Sequence, residues 1–112
     1  MDCVTFAKAI ADETRQEIMR VLCCHWLCVN DIVDRMQVSQ PTVSHHLGIL
    51  REVGLVYTRR EGKQVFYTLN QSLMASCCGT LRMVFAPEEM PAEPGPIPVA
   101  YGGAARFFCG NA

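Results

Sequence analysis

Apolar residues recur at helical spacing along most of the first 86 positions, then give way to a stretch with no helical period. Val4, Phe6, Ala7 and Ile10 predict a short amphipathic helix that ends near Asp12, itself a good N-cap for a second helix over residues 13–24. In that second helix the acids Glu13 and Glu17 come early, and Ile18, Val21 and Leu22 form the apolar stripe. Asn30 is a candidate cap for a third short helix carrying Ile32, Val33 and Met36 on one face. Ser39 as N-cap, with Pro41 in the first turn, starts a fourth, which Gly54 ends. Val43, Leu47 and Leu50 share its apolar face, while Ser44, His45, Gly48 and Glu52 point away.

Beyond Gly54 the period changes from that of a helix to that of strands. Residues 55–60 and 64–69 predict two strands joined as a hairpin through Glu61-Gly62-Lys63. A last helix is expected over 72–85, with Leu73, Cys77, Leu81 and Val84 along one side and Met74, Cys78 and Phe85 beside them. It is too apolar to stand in water alone. Five of the six prolines then fall between Pro87 and Pro98 and Gly102-Gly103 follow, so residues 1–86 are expected to form one domain and 87–112 a flexible tail.

The length of 112 residues suits a single core, and half of the residues are hydrophobic, which excludes wholesale disorder. No apolar run approaches the ~18 to 20 residues of a membrane span, and the start Met1-Asp2-Cys3 lacks the basic and apolar stretches of a secretory signal. A cytoplasmic protein is expected. In that reducing compartment the seven cysteines, an odd number with two adjacent pairs, point to metal binding or redox chemistry instead of a disulfide framework. The net charge of −1 speaks against a bulk-basic nucleic-acid binder. Positive charge is local: Arg51, Arg59, Arg60 and Lys63 crowd residues 51–63 against only Glu52 and Glu61.

Two short helices in tandem, the second polar-faced and followed by a basic hairpin, make a winged helix-turn-helix, in which a helix enters the major groove and the hairpin touches backbone. The expected fold is mainly α, with five helices plus a two-stranded wing. At Val38-Ser39-Gln40-Pro41-Thr42-Val43-Ser44-His45-His46-Leu47, Leu50-Arg51 and Gly54-Leu55-Val56, with Ala9-Ile10-Ala11-Asp12-Glu13-Thr14-Arg15 upstream, the sequence resembles the ArsR/SmtB family of bacterial metal-sensing repressors. The resemblance spans residues 4–86. It implies a homodimer built through the first and last helices, bound to an inverted-repeat operator in double-stranded DNA and leaving when inducer binds. Gln40, Thr42, Ser44 and His45 are the candidate groove contacts, and Arg59, Arg60 and Lys63 the candidate phosphate contacts. His46, at the edge of the apolar face, and His25 are expected to be structural.

One sensing site of that family is a Cys-x-Cys at the start of the third helix, of which this chain keeps only Cys28, Asn30 standing in the second place. The family's last-helix zinc site needs Asp and His, and residues 71–85 contain neither. The chain offers instead Cys23, Cys24, Cys28, Cys77 and Cys78; Cys3 and Cys109 stand apart near the ends. Soft thiolates favour soft ions. Trivalent arsenic, which takes three thiolates in a pyramid, suits this inventory, as does antimony(III), whereas cadmium, lead or zinc would prefer a fourth ligand. A repressor released by arsenite is therefore expected. The alternative is a repressor of the same fold that senses oxidant or reactive sulfur by disulfide or polysulfide formation. An enzyme is not expected: no Cys-x-x-Cys in a βαβ context and no phosphate-cradling glycine loop is present, and no organic cofactor is called for.

Overall fold

The structure is a computed structural model that describes residues 1–88 and 95–96. The remainder of the expected tail, Cys109 included, lies outside the described residues.

The chain runs α1 (Cys3–Ile10), α2 (Glu13–Leu22), β1 (Leu27–Cys28), α3 (Val29–Met36), α4 (Gln40–Glu52), β2 (Val56–Glu61), β3 (Gln64–Leu69) and α5 (Gln71–Phe85). Local chemistry sets most of these boundaries. Asp12 accepts a hydrogen bond from the Arg15 amide at 3.0 Å to start α2, and Ser39 does the same for α4 from Thr42, with Pro41 in the first turn. Gly54 follows α4 with φ of +86°, a left-handed turn that suits glycine, and an added Cβ there would already touch Leu73.

Several expectations change. A third strand exists: Leu27 and Cys28 pair antiparallel with Tyr67 and Phe66, giving a sheet ordered β1-β3-β2 in place of a two-stranded wing. Helix α3 is capped by Cys28, not Asn30, which lies exposed inside its first turn, because the Asp31 carboxylate reaches back to the Cys28 amide at 3.4 Å. Helix α2 ends at Leu22, two residues early, as Cys24 turns left-handed at φ 71°. The hairpin itself closes on Gly62-Lys63 alone, Glu61 pairing with Gln64, and Gly62 takes the positive φ of 63° that such a two-residue loop needs.

The core sits where α2, α3 and α4 meet the base of the sheet. Phe6, Ile18, Leu22, Ile32, Val43, Leu47, Leu50 and Leu55 are all fully enclosed. This is the stripe read from the spacing, except on α1, where Phe6 and Ala9 face inward while Val4 and Ala7 are exposed. Two polar side chains tie the elements together. Arg15 donates to the Ala9 carbonyl at 2.6 Å and the Lys8 carbonyl at 3.2 Å and lies 3.1 Å from His46 Nδ1, so one guanidinium joins α1, α2 and α4. Asn70 accepts from the Leu73 amide at 3.0 Å to cap α5 and donates to the Gly54 carbonyl at 2.9 Å, fixing where α5 leaves the sheet.

Asn70→Ala removes both bonds and is expected to cost about 1–3 kcal/mol, read as a lower urea midpoint at unchanged slope; Asn70→Asp, which keeps the cap and loses only the bond to Gly54, is expected to recover part of the loss.

Candidate DNA-binding face and thiol site

Helices α3 and α4 meet across residues 37–39, where Gln37 takes a left-handed φ of 57°. This turn presents the polar side of α4 outward: Gln40, Ser44 and His45 are exposed. Thr42 is half-buried, and its hydroxyl lies 2.8 Å from that of Ser39, so it takes part in starting the helix as well as bordering the exposed face. His46 is half-buried against Arg15, with the His45 ring edge-on at 5.2 Å. That contact ties His46 to α2, in keeping with the structural role expected of it. His25 is different: expected to pack, it is exposed, because the chain leaves α2 before reaching it.

On the wing, Arg59, Arg60 and Lys63 are all exposed. Arg59 is held. Its guanidinium carbon lies 5.1 Å from the centre of the Trp26 ring, and its Nη2 is 3.8 Å from Glu61. Sequence reasoning missed Trp26, whose role depends on a strand, β1, too short to show a period.

The cysteines separate into three environments. Cys23 and Cys24 are exposed at the end of α2 with their sulfurs 3.9 Å apart, and the Gln71 carboxamide, from the first turn of α5, donates to both at 3.4 and 3.2 Å. The Cys24 sulfur pushes the Cys23 thiol above its usual range, since it hydrogen-bonds to the protonated form and repels a second thiolate. Cys28 is buried, and its S–H donates to the Asp31 carboxylate at 3.2 Å. On α5, Cys77 is in the core and Cys78 exposed, the inward and outward placement that adjacent helical positions require. Among the described residues of one protomer, no three Cys, His, Asp or Glu side chains come together as a metal cluster. The structure thus unites Cys23 with Cys24 and keeps Cys28, Cys77 and Cys78 apart from any such group.

Residues 12–58 match the model of the arsR family of bacterial regulatory proteins. The arsenical resistance operon repressor of Staphylococcus aureus is 36% identical over 80 residues, 71% of this chain and 77% of that one. The chain belongs to the arsR family. Its architecture agrees: an ArsR-like transcriptional regulator from Rhodococcus sp. RHA1 superposes with a TM-score of 0.70 at 26% identity, covering 76% of this chain and 80% of that one. Reduced HlyU from Vibrio cholerae N16961 does so with 0.61 at 36% identity, covering 74% and 87%. This arsR-family member is a DNA-binding transcriptional repressor with a winged helix-turn-helix fold. No helix among its described residues is long and apolar enough to cross a membrane.

A left-handed cysteine is costly, by about 1–2 kcal/mol against glycine's freedom there. Cys24→Gly in this arsR-family protein is therefore expected to raise the thermal midpoint by a few degrees while removing one of the paired thiols; an unchanged or lower midpoint would contradict the strain at Cys24.

Proposed function

We propose that this repressor binds an inverted-repeat operator as a cytoplasmic homodimer and is released by trivalent arsenic bound through cysteine thiols. The observation that carries the reading is the Cys23–Cys24 pair, two exposed sulfurs 3.9 Å apart that touch the start of α5 through Gln71. The arsenical resistance repressor among its relatives supports the choice of inducer.

Dimer formation is supported by apolar surface that one protomer leaves uncovered. Met83, Val84 and Phe85 near the end of α5 are 74%, 59% and 77% exposed, and Val4 on α1 is 62% exposed. A second copy over these residues would double the basic patch and set two α4 helices about 34–36 Å apart, one turn of DNA. Gln40, Thr42, Ser44 and His45 then face the groove, and Arg59, Arg60 and Lys63 the phosphates.

Arsenous acid condenses with three thiols, forming three As–S bonds and releasing three waters. Cys23 and Cys24 supply two sulfurs, and Cys28, Cys77 and Cys78 are the candidates for the third. Since no protomer gathers three among its described residues, closing the site requires motion of α5 or β1, or a thiol from the second protomer. Either alters the geometry that fits both α4 helices to one operator, which is a coupling between inducer and DNA. Antimony(III) would act alike, and a soft divalent metal would ask for a fourth ligand. A second reading takes an oxidant as the signal: the thiol pair and peroxide would yield a disulfide and two waters, a reading that the sulfur contact and the likeness to reduced HlyU support.

The reaction stoichiometry separates the inducers. With Cys23 held protonated near neutrality, arsenite condensation exchanges no net proton, whereas a divalent metal must displace one from each thiol. Arsenite is expected to dissociate the operator complex with a midpoint nearly constant from about pH 6 to 8, and cadmium with one that falls roughly ten-fold per pH unit for each proton displaced. Cys23→Ser/Cys24→Ser abolishes the arsenite response. Normal dissociation of that variant, or of Cys77→Ser/Cys78→Ser, removes the corresponding pair from the site, and release only by peroxide in metal-free buffer transfers the role to the oxidant.

A further inference from the structure

Trp26 is the only tryptophan of the chain, and it is 42% exposed on a face where a large apolar ring gains little from the core. What covers it is a charge. Arg59 of β2 lies across the ring at 5.1 Å, Glu61 meets the same guanidinium at 3.8 Å, and Phe66 of β3, directly opposite Arg59 in the sheet, lines the recess between them. Among the described residues neither Arg60 nor Lys63 has an ion pair or aromatic stack of this kind. A wing arginine with many rotamers is thus reduced to few. Trp26 also stands two residues after Cys24 and immediately before β1, so the segment that bears the paired thiols ends on the residue that holds the arginine.

We infer that Trp26 is a positioning residue for operator binding: it fixes Arg59 where the wing delivers a positive charge to the DNA backbone, and it passes a change at Cys23 and Cys24 to the wing. The second half rests on the thiol pair being the inducer site. When the sulfurs are drawn onto an inducer, the left-handed turn at Cys24 is the joint that gives, Trp26 moves with the loop, and Arg59 loses its platform. Arg59 then costs conformational entropy to place on a phosphate, which weakens binding through the salt-dependent part of the affinity.

The test uses the full chain and the operator duplex that the wild-type protein selects from random sequence. Trp26→Leu is expected to weaken binding about two- to five-fold, the strength of an exposed cation–π contact, and to lower the slope of affinity against salt toward that of Arg59→Gln, which loses about one phosphate contact. Trp26→Tyr, which keeps an aromatic face, restores both. In the Arg59→Gln background Trp26→Leu has no further effect, the signature of action through Arg59. Equal losses from Trp26→Leu in the two backgrounds overturn the positioning role, as does a wild-type salt slope. Tryptophan emission, excited at a wavelength that tyrosine does not absorb, reads the second half directly, since Trp26 is the one tryptophan. Arsenite is expected to shift it in the wild type and not in Cys23→Ser/Cys24→Ser. If arsenite releases DNA while emission stays constant, transmission through Trp26 is overturned and the proposed inducer stands; if arsenite releases no DNA, the inducer falls, and the mutant affinities still decide the positioning role.

Discussion

The pairing of Leu27 and Cys28 with Tyr67 and Phe66 is the constraint on which the functional surface depends. It anchors the chain to β3 with only four residues between α2 and β1, so residues 23–26 form a tight turn, with Cys24 in a left-handed conformation. Thr68 of β3 closes the same junction by donating to the Leu22 carbonyl at 3.2 Å, satisfying an end of α2 that has no further helical partner. A turn this tight cannot bury its side chains. Cys23, Cys24, His25 and Trp26 are all exposed as a result, with the thiols toward α5 and the indole toward the wing. The thiol pair and the wing contact are therefore two ends of one short segment.

The elements that could be foreseen are those whose signals are local. Asp12, Ser39 and Gly54 act within three or four residues of themselves, and the stripes of α2, α3 and α4 show the spacing of residues that reach the core. β1 gives no such signal: two residues have no period, and their partners lie some forty positions away. From that one omission follow the misplaced cap at Asn30, the overlong α2 and the expectation that His25, in fact exposed, would pack. Arg15 could be placed in a familiar motif but not given its task, since its partners on α1 and α4 are joined only by the tertiary fold. The five candidate thiols were legible as an inventory, and only the fold divides them into a contacting pair, a thiol bonded to Asp31, and an inward and an outward member of α5.

That division gives the proposed sensor its logic. Cys28 and Cys77 are packed, and their removal from the core would disturb the fold that positions α4. Cys23 and Cys24 are exposed and sit at a left-handed turn, so in the proposed mechanism the inducer engages them first and draws in what is not yet in place. On that proposal repression and release use different sides of the same constraint, the core holding α4 and the short loop between α2 and β1 taking up the change.

Thiol footprinting tests most directly whether arsenite acts through the Cys23–Cys24 pair. The repressor, with and without arsenite, is alkylated by iodoacetamide and each cysteine followed by mass spectrometry. Arsenite is expected to protect Cys23 and Cys24 together with one of Cys28, Cys77 and Cys78, at the same arsenite concentration that releases the operator. Release of the operator with Cys23 and Cys24 alkylated as fast as before would contradict it.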